Sequence, residues 1–377
     1  MATVIKVMVI DDSALIRQML SNIINAEPDM EVIATAGDPY IARDKIKKYN
    51  PDVLTLDVEM PRMDGLAFLR NVMRLRPMPV IMISALTQKG ADTTLQALEY
   101  GALDFVCKPQ LDISQTFETY AEEIVSKLRM AAKTQVRPLI KPKSAVTAYT
   151  GIPVPPKYSA DAIISNTPTR KVSFLKTTDK IIAIGASTGG TEAIKLLLTN
   201  MPAHSPGIVI SQHIPATFSA SFAKRMNQLS PMTVSEAEDG KAILPGHVYI
   251  APGNLHLLVD RDGARYICRL NEGTPVNRHR PSVDVLFRSV AQNVGPNSVG
   301  VILTGMGDDG AMGMNEMHEV GAFTIAQDEH TSVVWGMPGE AVKKGGVDKI
   351  MPLHEIPRQL MKLFDNHHSN HPATPNH

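Results

Sequence analysis

The sequence predicts an α/β protein of two doubly wound parallel-sheet domains joined by a linker, and three observations lead there. Over residues 1–130, short apolar runs alternate with amphipathic stretches five times, as in a parallel sheet covered by helices on both faces. Residues 131–178 interrupt this pattern with six prolines, eleven serines or threonines, and eight lysines or arginines against one acid, Asp161. The alternation then resumes with Ile181-Ile182-Ala183-Ile184, an apolar run suited to a strand buried on both faces. At 377 residues the chain is long enough for two separate cores.

Composition narrows the function classes. Lys and Arg total 38, as do Asp and Glu, so the formal net charge is zero. Nothing in that balance recommends nucleic acid or an anionic membrane surface as a partner. Cys107 and Cys268 are the only cysteines and form no C-x-x-C pair, which excludes a disulfide framework or a cysteine zinc site and suits a reducing compartment. No apolar run approaches the 18 residues or so of a membrane span, so no membrane insertion is expected. The chain opens directly on a strand-like run without a basic leader or cleavage site. A cytoplasmic protein is expected.

In the first domain, strands are predicted near 4–10, 31–36, 52–56, 79–83 and 103–107, and helices near 14–26, 39–49, 65–75, 88–100 and 113–132. Leu15, Ile16, Met19, Leu20, Ile23 and Ile24 give the first helix an apolar face. Polar residues gather at the strand ends: Asp11 and Asp12 after the first, Asp57 on the third, Ser84 on the fourth, Lys108 on the fifth. Parallel strands bring all of these to one edge. Clustered carboxylates repel one another unless a hard cation sits among them, and oxygen ligands suit Mg²⁺. With a hydroxyl and an ammonium on the same rim, the set suits phosphoryl transfer to a carboxylate. Taken singly, Asp11 and Asp12 could cap a helix and Lys108 could be a solvated loop charge; five such residues at five strand ends favour the site.

Asp11-Asp12, the run Asp57-Val58-Glu59-Met60-Pro61-Arg62-Met63-Asp64-Gly65, Ser84-Ala85 and Lys108-Pro109 resemble a response-regulator receiver domain, over about residues 3–130. The resemblance implies a flavodoxin-like fold in which Asp57 accepts a phosphoryl group from a histidine kinase. It implies that Asp12, Asp57 and the backbone carbonyl of Glu59 hold Mg²⁺, with Asp11 beside them. Ser84 and Lys108 would contact the phosphoryl group, and Phe105 stands at the family's switch aromatic position.

Residues 131–178 read as a tether, because the prolines prevent one long helix and like charges extend the chain.

In the output domain, 179–365, the strand at 181 runs into Gly185-Ala186-Ser187-Thr188-Gly189 and then a helical stretch. Such a turn presents its side chains at the carboxyl edge of the sheet, where open α/β folds bind ligands. Three chemistries fit it. One is a plain glycine turn with a serine cap. Another is a phosphate cradle, though the G-x-G-x-x-G spacing and the P-loop lysine are missing. The third is a nucleophilic serine, since the turn matches G-x-S-x-G, the pattern of a strained elbow. The next strand, 207–211, leads to His213 where a dinucleotide site would want an acid, which favours the nucleophile. Further strands are predicted at 247–251, 255–259 and 298–303, the last leading to Asp308 and Asp309. Ser, His and Asp from three strand ends could form a nucleophile, a base and its orienting acid, with glycine-turn N–H groups as an oxyanion hole. The order Ser…His…Asp differs from the Ser…Asp…His of α/β-hydrolases, so that fold is not implied.

Ile184–Gly190, Gln212-His213-Ile214-Pro215, Val248–Gly253, Arg280–Asp284 and Leu303–Gly310 resemble the catalytic half of the chemotaxis protein-glutamate methylesterases, over about 180–364. The resemblance implies a Rossmann-like domain that hydrolyses glutamyl methyl esters on methylated chemoreceptors, often also deamidating receptor glutamines, and needs no cofactor. It makes Ser187 the nucleophile, His213 the base, Asp309 rather than Asp308 the orienting acid, and Met306 a residue lining the site. The whole then reads as an esterase gated by phosphorylation, the unphosphorylated receiver covering the Ser187 site through an intramolecular receiver–esterase interface. The tail, 366–377, is polar and expected to be disordered.

Overall fold

The structure, a computed structural model, describes residues 4–60, 64–85, 87–108, 117–134, 158–165 and 180–365. The expected tail, the start of the fifth helix and most of the linker lie outside the described residues. The chain divides into two compact units, the cut falling within the linker stretch.

The first unit runs β1 (Ile5–Ile10), α1 (Ala14–Asn25), β2 (Met30–Ala36), α2 (Pro39–Tyr49), β3 (Val53–Asp57), α3 (Gly65–Leu75), β4 (Val80–Ser84), α4 (Gln88–Glu99), β5 (Asp104–Cys107) and α5 (Phe117–Lys133). Its sheet has the order β2-β1-β3-β4-β5 with every pairing parallel. β3 and β4 are buried along their whole length, as continuous apolar runs in a covered parallel sheet should be. Each of the first four helices starts on a side-chain cap: Ser13 for α1, Asp38 for α2, Asp64 for α3 and Thr87 for α4. Since Ser13 caps α1, Asp11 and Asp12 are not spent on that task.

The second unit runs β6 (Ile181–Ala186), α6 (Gly190–Thr199), β7 (Gly207–Gln212), α7 (Ala216–Leu229), β8 (Thr233–Glu236), β9 (His247–Ile250), β10 (His256–Asp262), β11 (Arg265–Asn271), α8 (Val283–Asn293), β12 (Ser298–Ile302), α9 (Ala311–Glu319), β13 (Phe323–Gln327), α10 (Met337–Lys343), β14 (Lys349–Met351) and α11 (Ile356–Asp365). Seven strands make a parallel sheet in the order β14-β13-β12-β6-β7-β9-β8. The run expected as a strand at 255–259 is one, but it belongs to an antiparallel hairpin, β10–β11, outside that sheet. The hairpin rests on α8, where the Ser289 hydroxyl accepts from Val259 N–H and Asn293 donates to the Val259 carbonyl. α8 also crosses β6 closely. A Cβ at Gly185 would stand 2.1 Å from Val283, so only glycine fits there.

One part of the expected tether departs from expectation. Residues Ala160–Ala162 form a 3₁₀ turn, and Ala160 is 3 % exposed, packed within the second unit.

Among the described residues, no helix is long and apolar enough to cross a membrane.

Candidate functional site

Both sheets reverse their strand order beside their first strand, and both collect polar side chains there, as open α/β sheets do at such points. In the first unit the reversal lies between β1 and β3. Asp11, directly after β1, is fully buried, Asp57 at the end of β3 is 1 % exposed, and Asp12 is exposed. These three carboxylates offer oxygen atoms that all lie within 4.8 Å of one another. Lys108, just past β5, places Nζ 3.0 Å from Asp11 Oδ2 and 2.9 Å from Asp57 Oδ2. These are ion-pair distances, but neither oxygen receives an aligned hydrogen bond. Asp11 Oδ1 accepts from Ser13 N–H, and Asp57 Oδ1 accepts a long bond, 3.3 Å, from Glu59 N–H. Arg17 ties down the loop by donating to the carbonyls of Asp11 and Asp12.

The electrostatics follow from this crowding. Burial, and then the charge of Asp11, push the Asp57 carboxyl up to about 6 against the opposing pull of Lys108. Burial likewise raises Asp11. Lys108 is held above its ordinary value: burial opposes its charge, and the two carboxylates outweigh that. Ser84 reaches the same rim, yet its hydroxyl accepts from Thr94 at 2.8 Å and lies 3.4 Å from the Gly90 carbonyl, turned toward α4. Phe105 is buried, with the Lys127 ammonium 5.4 Å from its ring centroid.

In the second unit the reversal lies between β12 and β6, and the expected residues follow three adjacent strands: Asp309 beyond β12, Ser187 after β6, His213 after β7. Ser187 Oγ lies 3.1 Å from His213 Nδ1, and His213 Nε2 lies 2.8 Å from Asp309 Oδ2. A half-turn of the imidazole would put carbon at both contacts, so the two partners together fix the ring. With Asp309 ionised, Nε2 carries the proton and Nδ1 is the acceptor toward serine. The carboxylate that meets His213 is thus that of Asp309.

The serine turn is braced from below. Ser187 N–H donates to the Thr304 carbonyl, Gln212 donates to the Ser187 carbonyl, and the Thr304 hydroxyl donates to the Thr188 carbonyl. Ser187 itself does not take the left-handed conformation of a hydrolase elbow. That conformation falls on Gly189, φ 76°, whose added Cβ would strike Val333. The G-x-S-x-G match is therefore one of sequence and not of strained geometry. Gly305 lies against Ser187, its added Cβ 2.9 Å from the serine Cβ, and Met306 follows it half-buried.

Asp309 is 1 % exposed and saturated with donors. Besides His213 it accepts from the Ser282 hydroxyl at 2.8 Å, the Asn277 amide at 2.7 Å, and the backbone N–H groups of Val283 at 2.7 Å and Asp284 at 3.2 Å. The last two open α8, so the carboxylate sits on a helix amino end. Burial works to raise this carboxyl; the hydrogen bond and charge of His213, the charge of His279 and the Asn277 amide hold it below the usual range.

Four contributors were not singled out from sequence. Asn277 bridges Asp309 and Asp284, its amide 2.6 Å from Asp284 Oδ2. His279 stacks on His213 with ring centroids 3.7 Å apart and planes within 12°. Ser282 caps α8 and binds Asp309. Asp284, 4 % exposed, is pushed up to about 7 by burial and then by the charge of Asp309. The run Arg280–Asp284 carried a signal, since it formed part of the resemblance without any role attached; Asn277 and His279 carried none.

A cleft of about 410 Å³ beside α6 is lined by Gly189, Glu192, Leu196, Thr304, Val333 and Leu353 among others, but by none of Ser187, His213 and Asp309.

Residues 182–360 match the family described as CheB methylesterase, and residues 7–118 match the response regulator receiver domain. The protein-glutamate methylesterase/protein-glutamine glutaminase 1 of Xanthomonas campestris pv. campestris is 56 % identical over 361 residues, covering 96 % of this chain and 98 % of that one. The protein of the same description from Geobacter metallireducens is 58 % identical over 362 residues, covering 96 % of each chain. The crystal structure of the Thermotoga maritima CheB methylesterase catalytic domain is 38 % identical, covers 50 % of this chain and all of that one, and superposes with a TM-score of 0.49. With such identity along nearly the full length of its relatives, the chain belongs to the protein-glutamate methylesterase/protein-glutamine glutaminase family and carries a receiver domain ahead of its esterase domain.

Proposed function

We infer that the chain removes methyl groups from glutamyl methyl esters of chemoreceptors, deamidates receptor glutamines at the same serine, and is switched on by phosphorylation of Asp57. One observation carries the chemistry: the hydrogen-bonded chain Ser187–His213–Asp309 across three adjacent strand ends.

Ser187 Oγ attacks the ester carbonyl while His213 Nδ1 takes its proton. Asp309 holds the ring and offsets the charge of the imidazolium. α6 begins at Gly190, three residues beyond Ser187, and the positive end of its dipole favours negative charge developing near the serine. His213 returns the proton to the departing methoxide, releasing methanol and leaving a glutamyl ester on Ser187. Water, deprotonated by the same imidazole, then releases the glutamate carboxylate. With a glutamine side chain the leaving group is ammonia, and the second half is identical.

In the receiver, the Asp57 carboxylate attacks the phosphorus of a kinase phosphohistidine and the imidazole nitrogen leaves. The residues fit a divalent cation: Asp11, Asp12 and Asp57 converge, and the buried Oδ2 atoms of Asp11 and Asp57 lack aligned donors. Asp12, Asp57 and the Glu59 carbonyl would hold Mg²⁺, with Asp11 beside them, and the ion would offset charge on the phosphoryl oxygens. Lys108 already stands on Asp57 and is placed to pair with the phosphoryl group. Ser84 has to release Thr94 to do the same, which ties phosphorylation to a movement at α4.

Methanol release from methylated receptor membranes, with and without a small-molecule phosphodonor and Mg²⁺, tests both halves. Release that rises with the donor, and fails to rise in Asp57→Ala, is expected. Release indifferent to the donor would remove the switch and keep the esterase; no release in either condition would refute the esterase.

A further inference from the structure

Residues 158–165 belong by composition to the linker, but they are built into the second unit behind the proposed triad. The Tyr158 carbonyl accepts from Asn277 N–H at 2.9 Å. Ala160 packs with Val276 and Val285, flanked by Ile163, Ile164 and Leu258. Asp161 pairs with Arg288 Nη1 at 2.7 Å, and the same nitrogen donates to the Ile164 carbonyl at 3.1 Å. The Arg288 side chain is only 4 % exposed and its remaining nitrogens bind Glu316, so the guanidinium is a buried, neutralised anchor. Gln292 secures the end of the segment by donating to the Ser165 carbonyl.

The face it covers is the turn Val276–His279. That turn closes with two reciprocal backbone hydrogen bonds, and it places two consecutive non-glycine residues, Asn277 and Arg278, in the left-handed region at φ 51° and 70°. Such a turn persists where its surroundings over-determine it. Its front carries the Asn277 amide that binds Asp309 and the His279 ring that stacks on His213. Its back is held by Tyr158 and Ala160. The same few residues thus join the interdomain connection to two members of the triad.

We propose that residues 158–165 are a positioning segment of the esterase: docked, they hold the 276–279 turn so that Asn277 and His279 keep Asp309 and His213 aligned on Ser187. This rests on the Ser187–His213–Asp309 triad proposed above. Misalignment slows the proton transfers that accompany attack and leaves receptor binding untouched, so the effect falls on kcat and not on KM.

The test uses the full chain. In one variant, residues 158–165 are replaced by glycine and serine at equal length; in two others Asp161→Ala breaks the Arg288 pair and Asp161→Glu keeps it. The readouts are kcat and KM for methanol release and the rate at which a fluorophosphonate labels Ser187, a reaction that needs no receptor. The replacement should lower kcat and labelling on the order of ten-fold with KM within about two-fold. Asp161→Ala should show part of that loss, and Asp161→Glu should restore it. A purely structural role would lower the unfolding temperature and leave kcat and labelling at wild-type values well below it. That result, in the replacement or in Asp161→Ala where the replacement does not fold, would overturn the proposal. Labelling that survives Ser187→Ala would instead refute the triad itself, so the two failures are told apart.

Discussion

Asp57 and Asp309 both stand at the carboxyl edge of a parallel sheet, beside the point where strand order reverses, and each is 1 % exposed. Their surroundings are opposite. Asp309 accepts from a histidine, a hydroxyl, an amide and two helix-opening N–H groups, and is held below the ordinary carboxylate range. Asp57 has one long backbone hydrogen bond and an imperfectly aligned lysine, beside a second buried carboxylate, and is pushed up to about 6. A carboxylate that must remain an unreactive anion through a catalytic cycle is best saturated with donors. One that must take up a cation and then a phosphoryl group has to keep lone pairs available, and the fold bears the electrostatic cost.

Asp309→Asn is the strongest way to break this comparison. An amide cannot charge the imidazole, and its NH₂ group confronts donors, so kcat should fall about 10⁴-fold with little change in KM. Steady-state methanol release measures it, and a fall of less than ten-fold would mean that Asp309 does not act as the orienting acid. Asp57→Asn should act with the opposite sign on stability. The folded receiver keeps the Asp57 proton up to about pH 6, whereas the unfolded chain gives it up near 3.8. The folded state therefore binds more protons between those values, and stability falls as pH rises through them. Above about pH 6 the whole cost is present, roughly 3 kcal/mol, and below 3.8 it is gone. Asp57→Asn should raise the unfolding free energy of the receiver transition at pH 7.5 without divalent ions. Mg²⁺ should stabilise the wild type more than the variant. An Asp57→Asn chain less stable than wild type at that pH would contradict the under-bonded account of the site.

The difference between the two sites also tracks what the sequence disclosed. The receiver's five strands and the polar residue at each strand end are legible because apolar runs and breakers mark them plainly. What α4 does with Ser84 is not, since the rotamer is settled by Thr94, ten residues away on another element. In the esterase, Ser187 and His213 sit directly after strong buried strands and announce themselves. Asp308 and Asp309 are neighbours in a glycine loop, and only tertiary contacts decide which faces His213. Asn277 and His279 lie in an irregular turn with no periodicity to mark it. β8 (Thr233–Glu236) and β14 (Lys349–Met351) stand at the two edges of the sheet and are too short to carry a pattern. Residues 158–165 were hidden by their basic, proline-rich context, although Ile163-Ile164 beside the stretch's one acid, Asp161, is the local trace of an anchored segment.

Asp284 is where the two kinds of carboxylate meet, and it supplies the gentlest test. It is buried beside Asp309, accepts from Gly313 N–H at 2.7 Å and from Asn277 at 2.6 Å, and is pushed up to about 7. Two adjacent buried carboxylates resist carrying two charges, and the better-solvated anion is Asp309, with its helix end and imidazole. Asp284→Asn removes the charge and keeps one acceptor, for Gly313, while its NH₂ group meets the Asn277 amide and gives up that one contact, so kcat should stay within about ten-fold of wild type. The pH dependence should change more. Because the Asp284 carboxyl is raised, the wild-type esterase unit loses stability as pH rises from 3.8 toward 7, and that loss should shrink in the variant. Urea unfolding of the esterase transition at pH 5 and pH 8 measures the difference. An unchanged pH slope would mean that Asp309 and Asp284 carry both charges without penalty, and the saturation that distinguishes Asp309 would then extend to its neighbour through the Asn277 bridge.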